Sequence, residues 1–121
     1  MQFENKEFNI IIRPDSEFNL QAELFIKLRE IFEKRGLTVY GEVRLICFNK
    51  TNGTRKQKGR LDIAIFKGSK LLCAVEVKNK KITGWNRQKK LYKELGVPKL
   101  ILCQNKGGIN EAIKLCKEYL T

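Results

Sequence analysis

Asp62, Glu76 and Lys78 are the residues whose types and spacing best suit chemistry. They lie on two short apolar runs, Leu61 to Phe66 and Leu71 to Lys78, joined by the turn-prone Lys67-Gly68-Ser69-Lys70. Charges on strands that otherwise read as core are costly to desolvate unless they are paired or bound to a metal. In a strand of period two, Glu76 and Lys78 project from the same face. A carboxylate on the neighbouring strand would bring two acids and an ammonium together, the set that divalent-cation hydrolysis requires. Two carboxylates about 4 Å apart repel by roughly 4 kcal/mol at an effective dielectric of about 20, so the pair calls for a cation. Mg²⁺ or Mn²⁺, hard ions that take carboxylate oxygens and waters, suit it.

The facing of Asp62 and Glu76 depends on the turn between their strands. Lys67 opposite Leu71, with a three-residue loop Gly68-Ser69-Lys70, brings them face to face. A two-residue Gly68-Ser69 turn puts Asp62 opposite Val75 unless a bulge intervenes. The site therefore favours the longer loop.

Composition narrows the chemistry. Across 121 residues there are 25 Lys and Arg against 13 Asp and Glu, a formal charge of +12, and no histidine. The charge points to a polyanion, with nucleic acid first and an anionic membrane surface behind. The lack of histidine removes serine–histidine triads, histidine general bases and histidine-ligated metals. The length suits one domain spanning residues 1–121. No run approaches the roughly 18 apolar residues of a membrane span, and Met1 to Glu7 does not read as a secretory signal. Cys47, Cys73, Cys103 and Cys116 stand far apart, with no C-x-x-C pair. They read as reduced core cysteines of a cytoplasmic protein rather than zinc ligands.

Elements that could position the site follow in order. Phe8 to Ile12 suits a short edge strand. Pro14-Asp15-Ser16 suits a helix start, with Asp15 or Ser16 as N-cap. Phe18, Ala22, Phe25, Ile26, Leu28, Ile31 and Phe32 then recur at helical spacing up to Gly36, a C-terminal cap. Leu37 to Phe48 is rich in strand formers. Asn49 to Arg60 is polar, glycine-punctuated and basic, and reads as a loop. After the hairpin, Trp85, Gln88, Leu91, Tyr92 and Leu95 fall on one helical face, ended by Gly96-Val97-Pro98. Lys99 to Cys103 reads as a buried strand and Ile109 to Leu120 as a last helix. A helix between the third and fourth strands implies that these two run parallel.

This order, with an acid early in one strand and Glu76-Val77-Lys78 closing the next, resembles the PD-(D/E)XK nuclease superfamily over about residues 16–120. The resemblance implies a restriction-endonuclease-like αβββαβα fold, a central mixed four-stranded sheet flanked by helices. Asp62 matches the family's Asp, Glu76 and Lys78 its E-x-K, and Glu23 the extra acid many members carry on the first helix. Gln88 and Tyr92 match a Q-x-x-x-Y pattern on the following helix of one large branch. Leu61 stands where the motif's proline would be. The literal dipeptide Pro14-Asp15 lies before the first helix, and the string Glu4-Asn5-Lys6 closes no apolar strand, so neither carries the motif.

The resemblance implies a Mg²⁺- or Mn²⁺-dependent endodeoxyribonuclease. The metal would be held by Asp62, Glu76, the Val77 carbonyl and Glu23, with Lys78 activating water and Gln88 and Tyr92 supporting the site. Lys50, Arg55, Lys56, Lys58, Arg60, Lys80 and Lys81 would contact DNA phosphates, the stretch from Lys50 to Arg60 as a mobile gripping loop. A homodimer or higher homo-oligomer would cut both strands, in a cytoplasmic, nucleoid-associated setting of prokaryotic or phage type. Alternatives on the same fold are a Holliday-junction resolvase, a sequence-specific endonuclease or a catalytically inactive nucleic-acid-binding module. Each residue also has a plainer role: Glu23 a solvated helix acid, Glu42 a rival metal ligand or a strand-face ion pair, Gln88 and Tyr92 amphipathic packing, and Trp85 a helix-start core residue.

Overall fold

The structure, a computed structural model, describes residues 2–4 and 9–11 by their backbone, and residues 17–79 and 84–121 in full. Asp15, Ser16, Lys80 and Lys81 lie outside the described residues. In chain order the elements are β1 (Gln2–Glu4), β2 (Asn9–Ile11), α1 (Glu17–Phe32), β3 (Thr38–Phe48), β4 (Arg55–Lys67), β5 (Lys70–Lys78), α2 (Trp85–Glu94), β6 (Leu100–Gln104) and α3 (Ile109–Leu120). The expected edge strand is β2, but it pairs antiparallel with β1 in a separate two-stranded sheet.

The main sheet has the order β3-β4-β5-β6. β3, β4 and β5 are antiparallel neighbours, and β6 runs parallel to β5 after the α2 crossover. The described residues are thus α/β, with a mixed four-stranded sheet and three helices. Alternation along the strands divides the core. Ile63, Ile65, Cys73, Val75 and Val77 face α1 and α3 in the larger cluster. Ala64 and Ala74 face the other way, into a smaller cluster with Leu61, Val97 and Tyr92 of α2.

α1 buries a stripe that differs from the expected one. Leu20, Leu24, Leu28 and Phe32, four residues apart, are its buried face. Phe18 is 74% exposed and Ile26 is also exposed. The sequence admits several apolar stripes on this helix, and the sheet selects the one whose leucines meet Ile63 and Val75. Gly36 caps the end as expected: after a 3₁₀ turn (Glu33–Arg35) it adopts φ 78°, which glycine takes without a Cβ penalty, and donates to the Glu33 carbonyl. On α2, Tyr92 is the buried residue, and Leu91 is exposed.

The largest departure is the basic stretch. Only Asn49 to Thr54 forms a turn, in which the Asn49 side chain accepts from the Thr51 N–H. From Arg55 the chain is already β4, paired with β3 from Phe48–Arg55 through Arg44–Arg60. Polar composition suggested a loop, but a strand exposed on both faces is polar too. The cysteines divide similarly: Cys73, Cys103 and Cys116 are buried, whereas Cys47 is exposed on β3.

Leu24→Ala should cost about 2–5 kcal/mol, as a large-to-small change in a fully buried site. Phe18→Ala should stay within about 0.5 kcal/mol. Urea unfolding of both variants checks which stripe of α1 faces the sheet.

Candidate active site

The turn between β4 and β5 is the shorter one: Lys67 pairs with Lys70 around Gly68-Ser69, with Gly68 at φ 60°. The three-residue loop is therefore not used. Phe66 pairs with Leu71 but Ile65 with Cys73, so Leu72 is an extra residue on β5. This bulge shifts the register by one and restores what the short turn would have lost. Ile63 then faces Val75, and the next residues on each strand are Asp62 and Glu76.

β4 and β5 part at this point. Asp62 Oδ2 accepts the Val77 N–H at 2.8 Å, replacing a backbone partner with a carboxylate. β3 breaks in register with it. Gly41 pairs with Ile63 and Val43 with Leu61, but Glu42, between them, has φ 54° and drops out of the ladder. A left-handed conformation costs a non-glycine residue on the order of 1 kcal/mol or more and clusters at functional sites. The Asp62 carbonyl is taken instead by Gln21 Nε2 of α1, at 3.2 Å. Glu42 itself is exposed.

Asp62 and Glu76 are both buried, at 6% and 4% exposure. Lys78, from the same strand face as Glu76, places Nζ 3.5 Å from Glu76 Oε1. Gln88 of α2 hydrogen-bonds to the Glu76 carboxylate and favours its charged form. Glu76 Oε2 is buried and, among the described residues, has no hydrogen-bond partner. Burial pushes the Glu76 carboxyl up to about 7, and the neighbouring Asp62 adds to the shift, against Gln88 and Lys78. Asp62 is also raised, first by burial, against the Val77 N–H and the charges of Lys78 and Arg60.

The helix acid whose charge bears on Asp62 is Glu17, in the first turn of α1. Glu23 sits further along that helix, with Oε1 3.2 Å from Lys27 Nζ, and its charge is felt at Cys103. Glu17 and Gln21 were missed because their roles follow from where the end of α1 meets the break in the sheet. Tyr92 and Gln88, one turn apart, approach together: Tyr92 donates to the Arg60 carbonyl at 3.0 Å while its ring lies over Gly59. A Cβ on Gly59 would come 2.6 Å from that ring. Tyr92 is thus a positioning residue that ties α2 to β4, and Gln88 reaches the site from the same helix.

Among the described residues, no three His, Cys, Asp or Glu side chains cluster as a ready metal cage. The strand site offers two carboxylates, and Val77 adds a backbone carbonyl. Even-numbered β5 residues bond to β6, with Lys78 accepting from Asn105 and Ala74 donating to Lys99. The Val77 carbonyl therefore turns towards β4, where pairing has ended. Lys89, Lys90, Lys93 and Lys99 border a separate hollow of about 440 Å³ floored by Val97, Pro98 and Leu100. Compared with family models, curated proteins and solved structures, the chain matches none.

A carboxyl whose folded value is raised stabilises the fold below its unfolded value near 4.5 and loses that stabilisation as pH rises through about 7. Glu76→Gln should therefore match wild type near pH 4 and exceed it above pH 7 by on the order of 2 kcal/mol. Chelator-treated protein, unfolded in urea across this range, gives the comparison. Gly59→Ala should destabilise by about 1–3 kcal/mol by displacing the Tyr92 ring, and Tyr92→Phe by about 1 kcal/mol through one lost hydrogen bond. The same denaturation assay reads both.

Proposed function

We propose that this chain is a metal-dependent deoxyribonuclease of the PD-(D/E)XK type. The observation that carries the reading is the buried Asp62–Glu76 pair beside Lys78, with Glu76 Oε2 without a partner among the described residues. Burying two acids on adjacent strands raises both and costs the fold stability at neutral pH, where they would ionise. The arrangement is sensible if a divalent cation completes it. An orphaned carboxylate oxygen, a second carboxylate and an inward-turned carbonyl are donors that Mg²⁺ or Mn²⁺ takes, with waters filling the remaining sites.

In this reading Asp62, Glu76 and the Val77 carbonyl would hold the ion, and Glu17, the helix acid whose charge bears on Asp62, would take the part expected of Glu23. When bound, such an ion would supply Lewis acidity towards a phosphate oxygen and would make water a better nucleophile. Lys78, partly exposed and 3.5 Å from Glu76, orients the attacking water and neutralises charge developing on the phosphate. Gln88 keeps Glu76 ionised and fixed, and Tyr92 holds α2 where Gln88 can do so. The +12 charge draws the polyanion. A single site cuts one strand, so cleavage of both calls for two copies of the chain.

Supercoiled plasmid should be nicked in Mg²⁺ and left intact in EDTA. Asp62→Asn and Lys78→Met should each slow nicking by roughly 100-fold or more. Glu17→Gln should slow it about tenfold and Glu23→Gln by less than about threefold, since only the former acid bears on Asp62. Mg²⁺ should also raise the melting temperature more at pH 8 than at pH 5, because it competes with protons for the two carboxyls. Equal nicking by all variants, or none by wild type, would defeat the enzyme reading. Tight DNA binding without cleavage would then leave a binding module.

A further inference from the structure

β5 accompanies β4 only as far as Ile63. Beyond it, β4 from Arg55 to Asp62 is paired with β3 alone, as a two-stranded ribbon about 25 Å long. The ribbon begins at the site, where Glu42 and Asp62 interrupt the sheet. Between Val43 and Arg60 there are six cations and no acid. None of these cations forms an ion pair with a described acid.

Register sorts the ribbon into two faces. On one, Val43, Leu45 and Leu61 pack towards the smaller core cluster, and Gly59 lies under Tyr92. On the other, Arg44 stands opposite Arg60, Ile46 opposite Gln57, and Phe48 opposite Arg55. All six are exposed, Ile46 and Phe48 at 55% each. Two arginines directly opposed across strands repel, and their arrangement is relieved by an anion between or beside them. Nearer the tip the face combines an amide, two apolar side chains and Arg55, whose guanidinium lies 5.7 Å from the Phe48 ring centre. This composition exceeds what phosphate gripping needs, since amide, guanidinium and apolar groups are those that meet base edges. The extra residue Lys58, between Leu45–Gly59 and Ile46–Gln57, bends and twists the ribbon.

We infer that this ribbon enters the major groove of duplex DNA, with Arg44 and Arg60 on the phosphates at its base and Ile46, Phe48, Arg55 and Gln57 against base edges. The inference rests on the nuclease reading above. A groove about 12 Å wide admits a two-stranded ribbon, and about 25 Å of ribbon spans roughly seven base pairs. The deep, narrow major groove of an RNA duplex does not admit it. Charge favours a polyanion over a second copy of this +12 chain as the occupant.

The test measures anisotropy of a fluorescent duplex of about two helical turns, in EDTA at one fixed ionic strength, with the full chain. Wild type should bind DNA at least tenfold more tightly than RNA of the same sequence, and glucosylated hydroxymethylcytosine, which fills the major groove, should abolish the preference. Phe48→Ala with Gln57→Ala should weaken DNA binding roughly tenfold while RNA binding stays weak, and Arg55→Ala alone should do so about as much. Both variants change exposed side chains, and unaltered circular dichroism confirms their fold. If glucosylated DNA binds as tightly as plain DNA, or if Lys89→Ala with Lys93→Ala removes binding while the ribbon variants do not, the groove reading is overturned. A ribbon variant that shifts only the sedimentation of the free protein also overturns it, in favour of self-association. Failure of these arms alongside Mg²⁺-dependent nicking by wild type sinks the ribbon reading alone; absence of both duplex binding and nicking sinks both readings.

Discussion

Asp62 accepts the Val77 N–H through its side chain, and that single bond sets the geometry of everything around it. It ends the β4–β5 ladder without leaving a buried amide unpaired, a defect that would cost about 1–3 kcal/mol. It turns one acid towards the next strand, where Glu76 is already buried. The ladder on the other side gives way at the same level, with Glu42 left-handed and the Asp62 carbonyl handed to Gln21 of α1. A sheet that breaks on both sides of one residue has been opened there. The opening leaves two raised carboxyls, one ammonium and a carbonyl around a common gap.

The electrostatics of this gap are inverted relative to a stable structural ion pair. In a structural pair the opposite charge dominates and the acid is held below its usual range. Here burial dominates and Glu76 rises to about 7 despite Lys78 and Gln88. Lys78 is partly exposed and 3.5 Å away, close enough to matter and too loosely held to neutralise the acid. Glu76, at about 7, and Asp62, raised by the same burial, hold their protons more tightly than exposed carboxyls do, so the gap is short of positive charge. The unpaired Oε2 marks where the deficit of positive charge is greatest.

Much of this was legible in the sequence, and the reasons differ by element. Strand alternation and the crossover helix announced β5, β6 and their parallel pairing, because those elements are buried and their patterns are set by the core. The facing of Asp62 and Glu76 was also legible, but its route was not. A two-residue turn with Gly68 at positive φ is what the residues prefer locally, and only the tertiary demand to align the strands places the compensating bulge at Leu72. α1 misled because Phe18 and Ile26 are apolar yet exposed. The helix acid whose charge bears on Asp62, Glu17, lies six residues before Glu23, a distance that helical period alone does not adjudicate. The β4 arm of the ribbon was misread for the opposite reason: from Arg55 to Lys58 it is exposed on both faces and lacks the period-two signal by which strands are recognised.

The opening at Asp62 and the ribbon beyond it have one cause. Past Ile63, β4 has no β5 to pair with; Leu61 still packs into the smaller cluster, but from Arg60 back to Arg55 every residue except Gly59 is exposed and free to be polar. The same departure of β5 exposes the end of the sheet at which the acids gather. The gap between the acids and the extended basic arm are therefore both consequences of β5 parting from β4 after Val75 and following β6 instead. Tyr92 prevents the two from drifting apart. By packing its ring on Gly59 and donating to the Arg60 carbonyl, it fixes the root of the arm to the helix that carries Gln88. The root of the arm is thereby held at a fixed distance from Glu76, set by packed side chains rather than by a flexible loop.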